Sequence, residues 1–252
     1  MKLKAFSILT VILIASNLPI RAAEPVTFDS GEQQVALVEL FTSQGCSSCP
    51  PAERWINQLE GDSRLWTGVV PVVWHVDYWD RLGWKDPYAN SENTERQYAY
   101  RRTDAINSVY TPGFVVDGKE WRGFFQRKGL KLPSTKADGR LTATLKGNQL
   151  TADFSGHAKG PLVLNIAVLG IDLETKVARG ENRGRLLNQS FTVLEHQTGQ
   201  SSDGKWELTI PQGAINDSER QALAIWVSRK GSQKPIQATG GWLSEAASSA
   251  KG

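Results

Sequence analysis

Cys46 and Cys49 are the only cysteines in the chain, spaced C-x-x-C, and their flanks constrain the fold more than any other stretch. Before them runs Val35-Ala36-Leu37-Val38-Glu39-Leu40-Phe41, apolar at every position but one, the pattern of a strand buried on both faces. Thr42-Ser43-Gln44-Gly45 reads as a turn. After the cysteines, Pro50 and Pro51 suit a first helical turn, where backbone N–H groups have no partner. Ala52, Trp55, Ile56 and Leu59 then share one helical face. The spacing predicts strand, turn, C-x-x-C and helix over residues 35–59.

Three chemistries use such a pair. A structural disulfide would close a tiny loop and remove little unfolded-state entropy. Half a zinc site would need two more Cys or His at close spacing, and His75, His157 and His196 are scattered. A redox dithiol needs two thiols within bonding reach and a stabilised thiolate on one of them. The strand–turn–helix setting favours the third. A soft copper site from Cys46, Cys49 and His75 is the metal alternative, but the only Met is Met1, so no Met ligand supports it.

Further on, Val69–Val76 is a second apolar strand, and Asp86-Pro87 is expected to cap a helix running toward Asn107, with Tyr98, Arg102, Ala105 and Val109 at helical spacing. Tyr110-Thr111-Pro112-Gly113-Phe114-Val115-Val116-Asp117-Gly118 reads as a loop, a strand and a tight turn. The runs ELFTSQGCSSCPPAE, WHVDYWDRLGWKDPYA and VYTPGFVVDG, across roughly residues 33–125, resemble the thioredoxin superfamily and a family of exported thioredoxin-like bacterial proteins. The resemblance implies an α/β thioredoxin-like domain in which Cys46 attacks and Cys49 resolves. It also implies that the peptide between Thr111 and Pro112 is cis and faces the dithiol.

Departures from that pattern bear on activity. Ser47 and Ser48, between the cysteines, bring hydroxyls but no cation to a thiolate. Glu39 stands seven residues before Cys46. It is read either as a buried proton acceptor for the resolving thiol or as a strand residue turned to solvent. The aromatic and polar stretch Trp74–Trp84 follows the second strand and should emerge at the carboxyl end of the sheet, where α/β sheets bind ligands. There His75 or Asp77 would assist proton transfer, or the stretch would simply pack in support of the site.

The second half changes character. Residues 119–140 carry seven bases against two acids, with Gly and Pro between them, and read as a solvated linker rather than a nucleic-acid surface. Alternating runs at Leu141–Leu145 and Leu150–Phe154 form a hairpin around Gly147-Asn148, and short strands follow to Ser228, the pattern of a small β-sandwich. The loop Arg179–Arg185, with three Arg, is read as an inter-strand loop that could dock on the first half or hold an anion.

Charge points to compartment rather than partner. The formal charge is +3, yet Lys2, Lys4 and Arg21 lie in an acid-free opening of 23 residues, and the 29 bases less those three equal the 26 acids. Basic n-region, apolar run Ala5–Ile14 and small Ala22-Ala23 form the layout of a signal peptide, too short to span a bilayer permanently.

The sequence therefore reads as a signal peptide (1–23), an α/β thioredoxin-like domain (24–130), a linker (131–140), an all-β, sandwich-like domain (141–240) and a tail (241–252). The expected function is thiol–disulfide exchange, periplasmic or secreted, on thiol- or disulfide-bearing exported proteins with a separate redox partner. No cofactor, nucleic acid or stable membrane insertion is expected. A non-enzymatic binding or assembly module and a copper carrier are the rival readings.

Overall fold

The computed structural model describes residues 24–157, 160–216 and 219–243. The expected signal peptide (1–23) and the end of the expected tail (244–252) lie outside the described residues. The strands are β1 Val26–Asp29, β2 Ala36–Thr42, β3 Val69–His75, β4 Gly113–Val116, β5 Lys119–Glu120, β6 Leu141–Lys146, β7 Gln149–Phe154, β8 Leu162–Gly170, β9 Leu173–Lys176, β10 Leu186–Gln189, β11 Thr192–Ser201, β12 Lys205–Thr209, β13 Gln221–Arg229 and β14 Pro235–Trp242. The α-helices are α1 Pro50–Asn57, between β2 and β3, and α2 Ser91–Arg102, between β3 and β4.

The fold corrects the expectation of an α/β thioredoxin-like domain followed by a separate all-β one. Among the described residues 42% are strand and 15% helix, a β-rich fold. Its main sheet has eight strands in the order β14-β13-β8-β11-β3-β2-β4-β5 and runs through both halves. The seam is a parallel bridge of β11 to β3 at Thr192 and Val73, with Val73 N–H donating to the Phe191 carbonyl at 2.8 Å. A second sheet, β1-β6-β7-β12, covers part of one face, and β9 and β10 form a separate hairpin.

The composition of β8 and β13 explains why the halves do not separate. Side chains alternate across a strand, so a sandwich strand needs apolar residues on one face only. Here both faces are apolar. Leu164, Ile166, Val168, Leu223, Ile225 and Val227 join Phe28, Leu141 and Phe154 beneath the four-stranded sheet. Ala167, Leu169, Ala222, Ala224 and Trp226 face the other way and share a core with Leu37, Phe41, Val73 and Trp74. Separating the halves would expose that second face to water, at about 25 cal/mol per Å² of apolar area.

The expected linker is also tied down. Gln34 N–H donates to the Thr135 carbonyl and Ala137 N–H to the Glu32 carbonyl, each at 2.9 Å, so residues 131–140 run along the entry to β2. α2 begins later than expected, at an Asn90 cap whose side chain accepts from Asn93 N–H at 2.8 Å, and ends at Arg102. It buries Asn93, Arg96, Gln97 and Tyr100 rather than the Tyr98 and Arg102 face read from the sequence.

Candidate dithiol site

β2 and β3 are parallel neighbours, with Thr42 beside His75 at their carboxyl ends. The chain leaving β2 turns through Ser43–Ser48 and enters α1 with Cys49 as N-cap and the two prolines in the first turn. Cys46 therefore lies one turn ahead of the helix, its carbonyl accepting from Cys49 N–H at 3.2 Å. Both cysteines are free thiols, Cys46 1% and Cys49 0% exposed.

The two thiols have opposite surroundings. Cys46 is lowered to about 6, first by a hydrogen bond from Cys49, against which burial acts, then by the Ser48 and Thr111 side chains and the Ser48 backbone. Its Sγ lies 3.2 Å from Ser48 Oγ and 3.9 Å from the Thr111 carbonyl. Ser48 thus supplies locally what a cation supplies elsewhere, a donor to the thiolate. Burial pushes Cys49 well up, and its neighbours Cys46 and Glu53 add to the shift. The Thr111–Pro112 peptide is cis. Trp79 Nε1 donates to Thr111 Oγ1 at 2.8 Å and fixes this loop against the dithiol turn.

A buried polar network lies under Cys49. Thr42, whose hydroxyl lowers Cys49 against its burial, donates from Oγ1 to Glu53 Oε1 at 2.7 Å. Glu53 is buried, and burial raises its carboxyl above the usual range. Gln189 Nε2 donates to the same Glu53 oxygen at 3.1 Å, and Gln44 Nε2 donates to Gln189 Oε1 at 2.8 Å. Next in line, Asp86 accepts from Gln44 N–H at 2.8 Å and pairs with His75 Nδ1 at 2.7 Å. His75 Nε2, also buried, finds no hydrogen-bond partner among the described residues.

The sequence-expected residues divide between this site and elsewhere. Cys46, Cys49, Ser47, Ser48, Thr111 and Pro112 come together. His75 joins the network beneath, turned to Asp86 rather than to the thiols. Asp77 is not at the dithiol: its carboxylate accepts from Thr94 Oγ1 at 2.7 Å and ties the loop to α2. Glu39 lies on the opposite face of β2. There it accepts from Trp74 Nε1 at 2.9 Å, from Arg96 Nε at 2.6 Å and from the Tyr100 hydroxyl. Neither reading of Glu39 holds, since it is fully buried, paired with Arg96, and separated from Cys49 by the strand. Among the described residues no group of three or more His, Cys, Asp or Glu side chains is placed to hold a metal ion.

The acid beside Cys49 is Glu53, which the sequence reading missed. Its signal is positional: Glu53 follows Cys49 by four residues and precedes Ile56 by three, so it falls inside the apolar stripe of α1. Gln189, Asn182 and Glu181 carried no such signal, because they arrive from the second half. Asn57 brackets the incoming strand, donating to the Asn188 carbonyl and accepting from Ser190 N–H, both at 3.1 Å. Asn182 and Glu181 close on the dithiol turn from the loop between β9 and β10.

The fold and this site define a β-rich protein carrying a buried dithiol at the carboxyl edge of a parallel strand pair. The chain belongs to the family described as protein of unknown function (DUF1223), whose model matches residues 37–228. It is similar to the crystal structure of protein AGR_C_4864 from Agrobacterium tumefaciens, at 27% identity and TM-score 0.60, over 85% of this chain and 97% of that one. It is similar in fold to HBP35 of Porphyromonas gingivalis, at 16% identity and TM-score 0.54, over 84% of this chain and 76% of that one. No curated protein matches the chain.

Proposed function

We propose that the protein is an exported thiol–disulfide oxidoreductase acting on thiol- or disulfide-bearing proteins through Cys46 and Cys49. The carrying observation is the asymmetry of the pair: Cys46 has Ser48 Oγ 3.2 Å from its sulfur at an exposed turn, while the fully buried Cys49 lies over the Thr42–Glu53 hydrogen bond. Export rests on the layout of residues 1–23. The motif-level kinship with the thioredoxin superfamily belongs to the same proposal and does not extend to the fold.

The chemistry follows from the contacts. Cys46 thiolate attacks one sulfur of a partner disulfide; that S–S bond breaks, a mixed disulfide forms on Cys46, and the partner's other sulfur leaves as thiolate. Approach is from Ser47, Ser48 and Thr111, exposed or half-buried around the sulfur. Once Cys46 is tied up in the mixed disulfide, the Cys49 thiol no longer donates to it, and Thr42, whose one hydroxyl proton goes to Glu53, keeps an oxygen able to accept that proton. As Cys49 attacks Cys46 Sγ, its proton passes to Thr42 and Thr42's own proton passes to Glu53. The Cys46–Cys49 disulfide forms, the mixed disulfide breaks, and the partner's second sulfur leaves. The partner gains two electrons and the dithiol loses two; the same steps reversed oxidise a partner dithiol.

Reduction of insulin disulfides by the pre-reduced protein tests the reading. The wild type is expected to react, Cys46→Ser to be inert, and Cys49→Ser to accumulate a mixed disulfide. A Cys46→Ser variant as active as the wild type would overturn it.

A further inference from the structure

Asn182 is fully buried, although its neighbours Gly180, Glu181, Arg183 and Gly184 are exposed. Its Nδ2 donates to the carbonyls of both Gln44 and Cys46, each at 2.9 Å. Arg185 fixes the amide from behind, donating to Asn182 Oδ1 at 2.9 Å. Next to it, Glu181 Oε2 accepts from Ser47 N–H at 3.0 Å. Gly180 and Gly184 bracket the segment with φ of 75° and 83°, a conformation that favours glycine. Gly180 also packs closely on Trp84, where a Cβ would come within 3.2 Å of the tryptophan Cβ. Trp84 Nε1 in turn donates to Gln44 Oε1 at 3.0 Å.

We infer that this loop is a working part of the dithiol site: Asn182 fixes the backbone on both sides of Gly45, Glu181 occupies the Ser47 N–H, and both are positioning residues for Cys46. The inference rests on the dithiol reading and deepens it. The Glu181 carboxylate sets a negative charge on the residue after Cys46, while the backbone donor to the sulfur is the Ser48 N–H. That charge disfavours the thiolate, so the loop restrains the acidity that Cys49, Ser48 and Thr111 confer. The remaining groups around Cys46 are Cys49 and Tyr78, with Arg179, Arg183 and Arg185 on the loop itself; a single change at Glu181 leaves all of them in place.

The test reads the Cys46 titration midpoint from ultraviolet thiolate absorbance in the full chain, comparing wild type, Glu181→Gln, Asn182→Ala and the double variant. Glu181 is exposed, so Glu181→Gln does not threaten folding. Its midpoint is expected to fall by about half a unit, the scale of one removed charge at a solvated site. Asn182→Ala frees the loop and is expected to shift the midpoint the same way, and the double variant to match Glu181→Gln rather than sum the two, since the residues act as one unit. An unchanged midpoint in Glu181→Gln overturns the inference, as does full additivity. A protein inert toward insulin would defeat the exchange reading while leaving this shift measurable.

Discussion

His75 and Asp86 meet as a fully buried pair, Nδ1 to Oδ2 at 2.7 Å, where β3 ends beneath the dithiol turn. Burial alone would lower His75, but the Asp86 charge and hydrogen bond, with Glu53 beyond, raise it. Burial alone would raise Asp86, but His75 and the N–H groups of Gln44 and Tyr88 lower it.

The signs give a pH window. A raised His75 contributes stability that is full below its ordinary value of about 6.5 and is lost as pH rises through the raised folded value. A lowered Asp86 contributes stability present above 3.8 and lost as pH falls through the lowered folded value. Thermal unfolding should therefore show Tm declining as pH climbs above about 6.5. Asp86→Asn should abolish that decline and destabilise the protein by about 3–5 kcal/mol near pH 6, the scale for breaking a buried pair. A Tm that holds level from pH 6 to 9 in the wild type would refute the assignment.

Glu53→Gln separates stability from chemistry. The amide keeps an oxygen for Thr42 and Gln189 but cannot take a proton. Burial raises Glu53, so the folded protein loses stability as pH rises above 4.5 toward the raised value. The variant should be more stable than the wild type at neutral pH while its mixed disulfide at Cys46 resolves more slowly, by about 10² for a lost proton acceptor. Urea unfolding and single-turnover trapping of the mixed disulfide measure the two. Unchanged resolution would remove Glu53 from the proton path.

Glu39 offers the opposite control. Its partners are Trp74, Arg96 and Tyr100, with the Arg96 guanidinium 4.9 Å over the Trp74 ring and 5.1 Å over that of Trp226. Glu39→Ala leaves Arg96 buried without its carboxylate and should cost about 3–5 kcal/mol. The Cys46 titration midpoint should not move in the folded variant, because β2 separates the two. A shifted midpoint would return Glu39 to the site.

These contrasts show which features the sequence exposed. Local signals were faithful: the apolar run before Cys46, the prolines after Cys49 and the second apolar strand all stand within a few residues of where the pattern puts them. The fold class was misread because β8 and β13 are apolar on both faces, and sequence alone does not say what covers the second one. α2 was read on the wrong face because its buried side is polar, Arg96 and Gln97 being satisfied by Glu39 and the Tyr110 carbonyl. Asp86 looked like a helix cap, and its true partner is a histidine across the turn. Glu181, Asn182 and Gln189 reach the dithiol from more than 130 residues away, a juxtaposition that no spacing rule encodes.

The central claim is that Cys46 and Cys49 exchange electrons as a pair. Equilibration of the full chain in glutathione buffers of graded potential, followed by acid quench, alkylation and mass measurement, tests it most directly. The account predicts one two-electron transition between dithiol and Cys46–Cys49 disulfide, with any trapped mixed disulfide on Cys46. A pair that stays wholly reduced or wholly oxidised across the whole series, or glutathione trapped on Cys49 instead, would contradict it.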